Sequence, residues 1–317
     1  MHPWNEPLFE SLRRRAERLP HALLIHGARG TGKLALAEHI AQFLLCESAD
    51  PGRKPCGACE GCRWFRAGSH PDLRRLEPEA LSREPADTEE GVAPAKKGKP
   101  STEVKVEQVR ELAGFLNLRS HRGRLRVALV HPAEAMNPSA ANALLKGLEE
   151  PPAGAVFLLV SHRPAQLLPT IRSRCVSLPV ALPPRDAALS WLAGQGAEDP
   201  ARWLAYAGGA PLLALDYAGR APVLERLLKH PAPVDDRDEL DPLAEALQKI
   251  ALDHALTAWG LAPKYATGHA STEPSQARPW LAFARQIGRH RLLTRHPLNP
   301  KLFSAEMLSG IPGKSEI

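Results

Sequence analysis

The stretch Gly27-Ala28-Arg29-Gly30-Thr31-Gly32-Lys33 constrains the N-terminal half of the chain more than any other feature. It follows a short apolar run (residues 21–27) and opens residues 33–45, whose apolar positions recur at helical spacing. Strand, glycine-rich turn and helix, in that order, are the setting of a phosphate loop. The glycines let backbone N–H groups face phosphate oxygens, the helix N-terminus adds positive potential, and Lys33 supplies a point charge. Such a unit is stable only on a sheet, so further strands alternating with helices are expected.

They are present in the sequence. Residues 125–131 and 155–161 are continuous apolar runs, as expected for strands of a parallel sheet covered on both faces. Residues 72–77 and 175–180 read as shorter strands. Helical patterns fill residues 104–118, with Val106, Val109, Leu112 and Leu116 on one face, then 138–149 and 165–175. Residues 78–101 are polar and carry repeated prolines, which predicts an insertion loop. After Pro183-Pro184 no strand pattern remains. Short helices broken by Gly194, Gly196, Gly208, Gly209 and Pro211 lead into longer amphipathic stretches near 241–260, 278–294 and 300–310. The expected architecture is an α/β phosphate-loop domain with a parallel sheet over 1–180, a small helical lid domain over 181–221, and an all-α domain over 222–317 that serves oligomerisation.

Cys46, Cys56, Cys59 and Cys62 follow the first helix in the spacing C-x9-C-x2-C-x2-C. Clustered CxxC turns of this kind suit tetrahedral Zn²⁺ with four thiolates, a closed and therefore structural site. Cys175 stands alone at a strand start and reads as a small core residue. The remaining composition is ordinary. Lys plus Arg less Asp plus Glu is 41 − 35 = +6, which permits work near nucleic acid without arguing for it. No apolar run is long enough for a membrane helix. The first twenty residues carry charges where a secretory signal needs an apolar stretch, so a cytoplasmic location is expected.

Two departures weaken the phosphate loop as a catalytic site. The residue after Lys33 is Leu34, where a Ser or Thr hydroxyl would ligate Mg²⁺. The strand at 125–130 runs into His131-Pro132, where phosphate-loop enzymes carry acidic residues that hold metal and polarise water. Glu134 lies farther on and is the one carboxylate in reach if the turn brings it back. No intrinsic ATP hydrolysis is expected and no Mg²⁺ site; whether ATP or ADP still binds Gly27, Gly30, Thr31, Gly32 and Lys33 is left open.

Asn142-Ala-Leu-Leu-Lys-Gly-Leu-Glu-Glu-Pro-Pro152, Ser173-Arg174-Cys175 and the cysteine module directly after the phosphate-loop helix together resemble the AAA+ clamp-loader subunits of bacterial DNA polymerase III. Asn299-Pro-Lys-Leu-Phe303 is similar to the last helix of that family's C-terminal collar. The family has ATP-hydrolysing motor members, gamma and tau, and members whose own site is silent. Leu34, His131-Pro132 and Leu212, which stands where motor members have a nucleotide-sensing arginine, resemble the silent kind. The resemblance implies a hetero-oligomeric ring with gamma/tau motor subunits and the delta subunit, acting on the sliding clamp and primer–template DNA during replication. It also implies that Arg174 is an arginine finger reaching the ATP of a neighbouring motor in trans.

Other residues read blandly or in two ways. Lys146, Glu149 and Glu150 suit a solvated helix face, and His26 and His131 sit at strand ends. Trp4 suits plain packing or the cover of an adenine pocket. Arg119, Arg122, Arg124 and Arg126 form a basic cluster that suits either loop solubility or contact with DNA phosphates. Two competing functions remain: an active motor in which Glu134 or another carboxylate holds Mg²⁺, and a zinc-containing DNA-binding protein unrelated to clamp loading.

Overall fold

The computed structural model describes residues 1–81, 100–118, 125–294 and 296–313. They form two compact units, Met1–Leu182 and Pro183–Ile317.

The first unit is a five-stranded sheet in the order β2-β3-β4-β1-β5. The strands are β1 (Ala22–His26), β2 (Leu73–Leu76), β3 (Arg126–Val130), β4 (Ala155–Ser161) and β5 (Val176–Pro179). Every pairing is parallel, with Leu24 opposite Leu159 and Ala128 opposite Phe157. Because side chains alternate along a strand, each apolar run feeds two cores at once. Leu23, Ile25, Val127, Leu129, Leu158 and Val160 face one; Leu24, Ala128, Val130, Phe157 and Leu159 face the other. Helices α1 (Glu6–Arg13) and α2 (Lys33–Leu45) cover the first face. Helices α4 (Val106–Asn117), α5 (Pro138–Glu149) and α6 (Pro169–Arg174) cover the second, and α3 (Glu60–Ala67) carries the end of the cysteine module.

The patterns at 33–45, 104–118 and 138–149 become helices close to the expected bounds. The stretch 165–175 does not form one helix. A 3-10 turn at Pro164–Gln166 ends before α6, because Pro169 disfavours helical backbone at Leu168 and suits the first turn of a new helix. Most of the 78–101 insertion, residues 82–99, lies outside the described residues. Its base is clasped: the Ala80 N–H donates to the Ser101 carbonyl at 3.0 Å, and Lys105 pairs with Glu79 at 2.8 Å.

Among its described residues the second unit contains helices and connecting loops but no strand. It comprises α7 (Arg185–Gly194), α8 (Pro200–Tyr206), α9 (Pro211–Gly219), α10 (Ala221–Lys229), α11 (Leu240–Ala258), α12 (Ala277–Leu293) and α13 (Pro300–Ser309). One apolar cluster runs through these helices, from Ala188 to Leu308. Helices α11 and α12 run antiparallel, with Gln248 beside Gly288 and the His254 ring stacked on Trp280 at 4.1 Å. Two buried polar features interrupt the apolar packing. Asp253, fully buried, accepts hydrogen bonds from the N–H groups of Lys264, Tyr265 and Thr267 and from the Thr267 hydroxyl. Lys249 places its ammonium over the rings of Tyr206 (3.7 Å) and Tyr217 (4.4 Å) and pairs with Glu245 at 2.8 Å.

Candidate functional site

The phosphate loop joins β1 to α2 at the C-terminal end of the sheet, where parallel α/β folds place their ligands. Gly27, Gly30 and Gly32 all have positive φ. At Gly27 only hydrogen fits, since a Cβ would lie 2.2 Å from the Val180 carbonyl oxygen. Lys33 is the first residue of α2 and is 2% exposed. Its ammonium is turned back onto the loop, donating to the Ala28 carbonyl at 2.5 Å. Burial lowers its pKa to about 8, against the opposing charge of Glu134. Leu34 packs into the apolar core on the α2 face of the sheet.

The N-terminal segment straps the loop from outside. The Trp4 indole N–H donates to the Thr31 carbonyl at 2.9 Å, and the Asn5 amide donates to Thr31 and Gly32 carbonyls at 3.1 and 3.4 Å. The His2 ring stacks on Trp4, and its edge fills the space that a Cβ on Gly32 would need. Trp4 therefore packs on the loop backbone. Asn5 and His2 were not legible as site residues, since the loop residues they reach, Thr31 and Gly32, lie more than twenty-five positions away in the sequence.

Glu134 does come back toward the loop: its charge acts on Lys33, His131 and His162. One carboxylate oxygen accepts the His162 N–H at 2.9 Å; the other is buried without a hydrogen-bond partner among the described residues. His131 and His162 meet edge to face at 5.4 Å. Burial is the main cause that lowers both imidazole pKa values, that of His162 to about 4, and Lys33 lowers them further. The pair is therefore neutral at pH 7. His162 was missed because nothing in the sequence at the end of β4 announces that its backbone will hold a carboxylate.

Arg174 ends α6. Its guanidinium is one-third exposed and forked, with one arm on Glu149 at 2.7 Å and the other on the Thr170 carbonyl and the Ser173 hydroxyl. Glu149 is thus an ion-pair partner as well as part of a solvated helix end. Cys175 is partly buried beside the second core, and burial raises its thiol pKa to about 11. Of the basic cluster, Arg119, Arg122 and Arg124 lie outside the described residues. Arg126 leaves it: it is 5% exposed and donates to the Phe115 and Ala153 carbonyls, a structural arginine.

The four cysteine sulfurs lie within 4.8 Å of one another. Sulfurs bonded to one Zn²⁺ at ~2.3 Å in a tetrahedron stand about 3.8 Å apart, so the cluster fits such an ion with little adjustment. Cys46 and Cys62 are fully buried. The backbone N–H groups of Glu47, Cys56, Cys59 and Cys62 donate to Cys59, Cys46, Cys56 and Cys59 sulfurs at 3.3–3.4 Å. Donors aimed at sulfur favour the thiolate form that metal requires. Gly61 permits the tight turn, because a Cβ there would lie 2.7 Å from the Leu45 carbonyl oxygen.

A family model described as DNA polymerase III, delta subunit, matches residues 5–183, more than half of the chain. The DNA polymerase III subunit delta′ of Pseudomonas aeruginosa is 44% identical over 218 residues, 68% of this chain and 60% of that protein. The chain belongs to the DNA polymerase III delta-prime family. The Escherichia coli K12 delta′ subunit is 40% identical over 193 residues, 60% of this chain and 52% of that protein. The matches thus span little more than half the length of these relatives. The tau subunit of Escherichia coli is 36% identical over 159 residues, half of this chain but 21% of that protein. Among solved structures, a DNA polymerase III gamma subunit-related protein from Thermotoga maritima has the same fold. Its TM-score is 0.52 at 18% identity, covering 95% of this chain and 97% of that one. No helix among the described residues is long and apolar enough to cross a membrane.

Proposed function

We propose that this delta-prime family member is a non-hydrolysing, cytoplasmic clamp-loader subunit that assembles with gamma/tau motor and delta subunits and assists ATP hydrolysis at a neighbour's site. The observation that carries this reading is the state of its own loop. Lys33, the residue that meets the β- and γ-phosphates in active loops, donates here to the Ala28 carbonyl. Around it, Leu34 offers no hydroxyl and His131 no carboxylate for Mg²⁺. The helical unit divides, in this reading, into a lid over 181–221 and a collar over 222–317 that holds the ring together.

Arg174 supplies the cation in trans. A guanidinium is planar and permanently charged, so it can stabilise charge that develops on a transferred phosphoryl group. The fork to Glu149 and Thr170 fixes its direction before a neighbour docks. Cys46, Cys56, Cys59 and Cys62 would hold a structural Zn²⁺, which cross-links the end of α2 to the start of α3 and leaves no open position for chemistry.

The test is reconstitution with motor and delta subunits. Arg174→Ala is expected to leave assembly intact and to lower ATP turnover of the complex; unchanged turnover removes Arg174 from the mechanism. The second reading, an active motor, draws on the unpartnered Glu134 oxygen near Lys33. It requires ATP turnover by the purified chain that Lys33→Ala and Glu134→Gln each abolish.

A further inference from the structure

Between residues 274 and 305 the chain has five arginines and one lysine and no Asp or Glu. That excess equals the net charge of the entire protein, +6. Helix α12 displays part of it as an ordered track. Arg278, Ala282, Arg285, Arg289 and Leu292 are all exposed. At about 100° per residue they fall on one narrow stripe of the helix, and at 1.5 Å per residue Arg278 to Arg289 spans about 16 Å.

The acidic groups of the neighbouring helix pair with residues outside this stripe. Arg291, on another side of α12, faces Asp241 at 3.3 Å and Glu245 at 3.6 Å. Glu245 also holds Lys249, and Asp253 is enclosed by the amides of residues 264–267. Arg278, Arg285 and Arg289 make no ion pair or hydrogen bond to any other described residue. Three guanidinium groups are thus carried in line on one helix, and no described residue answers their charge.

We propose that this track binds the phosphate backbone of a single-stranded nucleic acid. Guanidinium forks suit phosphate oxygens, and a linear array suits a linear polyanion. A protein partner would need an apolar anchor at the centre of the contact. The centre here is Ala282, while the exposed leucines 292 and 293 lie past one end. At the other end the antiparallel pairing of α11 and α12 brings the end of α11 alongside Arg278, and Trp259, the residue following α11, is 51% exposed. A flat exposed aromatic beside a basic track is what a strand with unstacked bases uses and a closed duplex does not. The proposal uses neither Arg174 nor any phosphate-loop residue, so it stands or falls independently of the ATP-site reading.

The experiment is fluorescence anisotropy of the full chain with a labelled oligo(dT) of about 16 nucleotides, against a duplex of equal length, across a salt series. Three phosphate contacts contribute a slope of about −2 to log K against log salt for a single strand. Replacing Arg278, Arg285 and Arg289 together by Ala is expected to reduce the parent slope by about 2 and to weaken binding at low salt by tenfold or more. All three side chains are exposed, and an unchanged urea midpoint verifies that the variant is folded. Trp259→Ala is expected to weaken oligo(dT) binding by about fivefold and to leave duplex binding unchanged. Ala at Arg119, Arg122 and Arg124 is the control for a contribution from the first unit. The proposal is overturned if the triple variant keeps the parent's affinity and slope. It is also overturned if duplex is preferred, or if poly-glutamate competes as well as oligo(dT), which would mark a site for acidic protein.

Discussion

Replacing Lys249 by Met removes the cation at the centre of the helical unit. Lys249 is 7% exposed, and its ammonium sits over Tyr206 and Tyr217 and is bound by Glu245 and the Tyr217 hydroxyl. Burial lowers its pKa to about 8, with Glu245 opposing. Burial works to raise the Glu245 carboxyl, but Lys249, Tyr217 and Arg291 outweigh it and hold the group below its ordinary range. Without Lys249 the buried carboxylate keeps the Tyr217 hydroxyl as a donor and, among the described residues, Arg291, 3.6 Å away, as its one cation. Breaking a buried pair from one side costs about 3–5 kcal/mol, and the remaining arginine argues for the lower end, about 3 kcal/mol. Adding Glu245→Gln removes the stranded charge yet keeps an acceptor for the Tyr217 hydroxyl, so the double variant should recover to within about 1–2 kcal/mol of the parent. Urea unfolding followed by tryptophan fluorescence reads this unit well, since Trp191, Trp203, Trp259 and Trp280 lie in it and only Trp4 and Trp64 do not. A pH series adds a signed check. The folded pKa of about 8 lies below the unfolded 10.5, so in that window the unfolded chain binds more protons. The parent should gain stability relative to Lys249→Met as pH rises from 8 toward 10. A single variant as stable as the parent, or a double variant no better than the single, would refute the reasoning.

Three further outcomes are expected. Asp253→Ala strands three backbone amides and should destabilise the chain by about 3 kcal/mol, with faster hydrogen exchange at residues 264–267 as the local reporter. Gly27→Ala sets a methyl 2.2 Å from the Val180 carbonyl oxygen, so the turn between β1 and α2 must shift; a loss above about 2 kcal/mol in thermal unfolding is expected, and a neutral variant would contradict the packing described. Protein purified without added metal should contain one zinc per chain by elemental analysis, and chelation or Cys56→Ser should lower the melting temperature.

The sheet was legible because burial on both faces leaves its mark in each strand separately. Residues 125–131 and 155–161 are apolar at nearly every position, and no partner need be known to see it. Helices α1 and α3 were not legible: each has eight residues, and α1 buries only Phe9 while Pro7 lies in its first turn. The site split in the same way. Cysteine spacing and the glycine–lysine loop are local patterns: the four sulfurs gather within 4.8 Å of one another, and the loop leads into α2 at Lys33. The strap of Trp4 and Asn5, the return of Glu134 to His162 and the pairing of Arg174 with Glu149 join distant segments, and single residues carry no mark of such contacts. Asp253 shows the limit most plainly. A lone aspartate on an amphipathic helix reads as solvated, yet it is the group around which a loop of backbone amides closes.

The clasp at the foot of the insertion has a consequence for how this protein can change. With Ala80 tied to Ser101 and Glu79 to Lys105, the two ends of the insertion are held side by side. The entropy of closing a loop rises only slowly with its length. The stretch between those ties is therefore free to grow, shrink or be exchanged for another module over generations while the strands beneath keep their register.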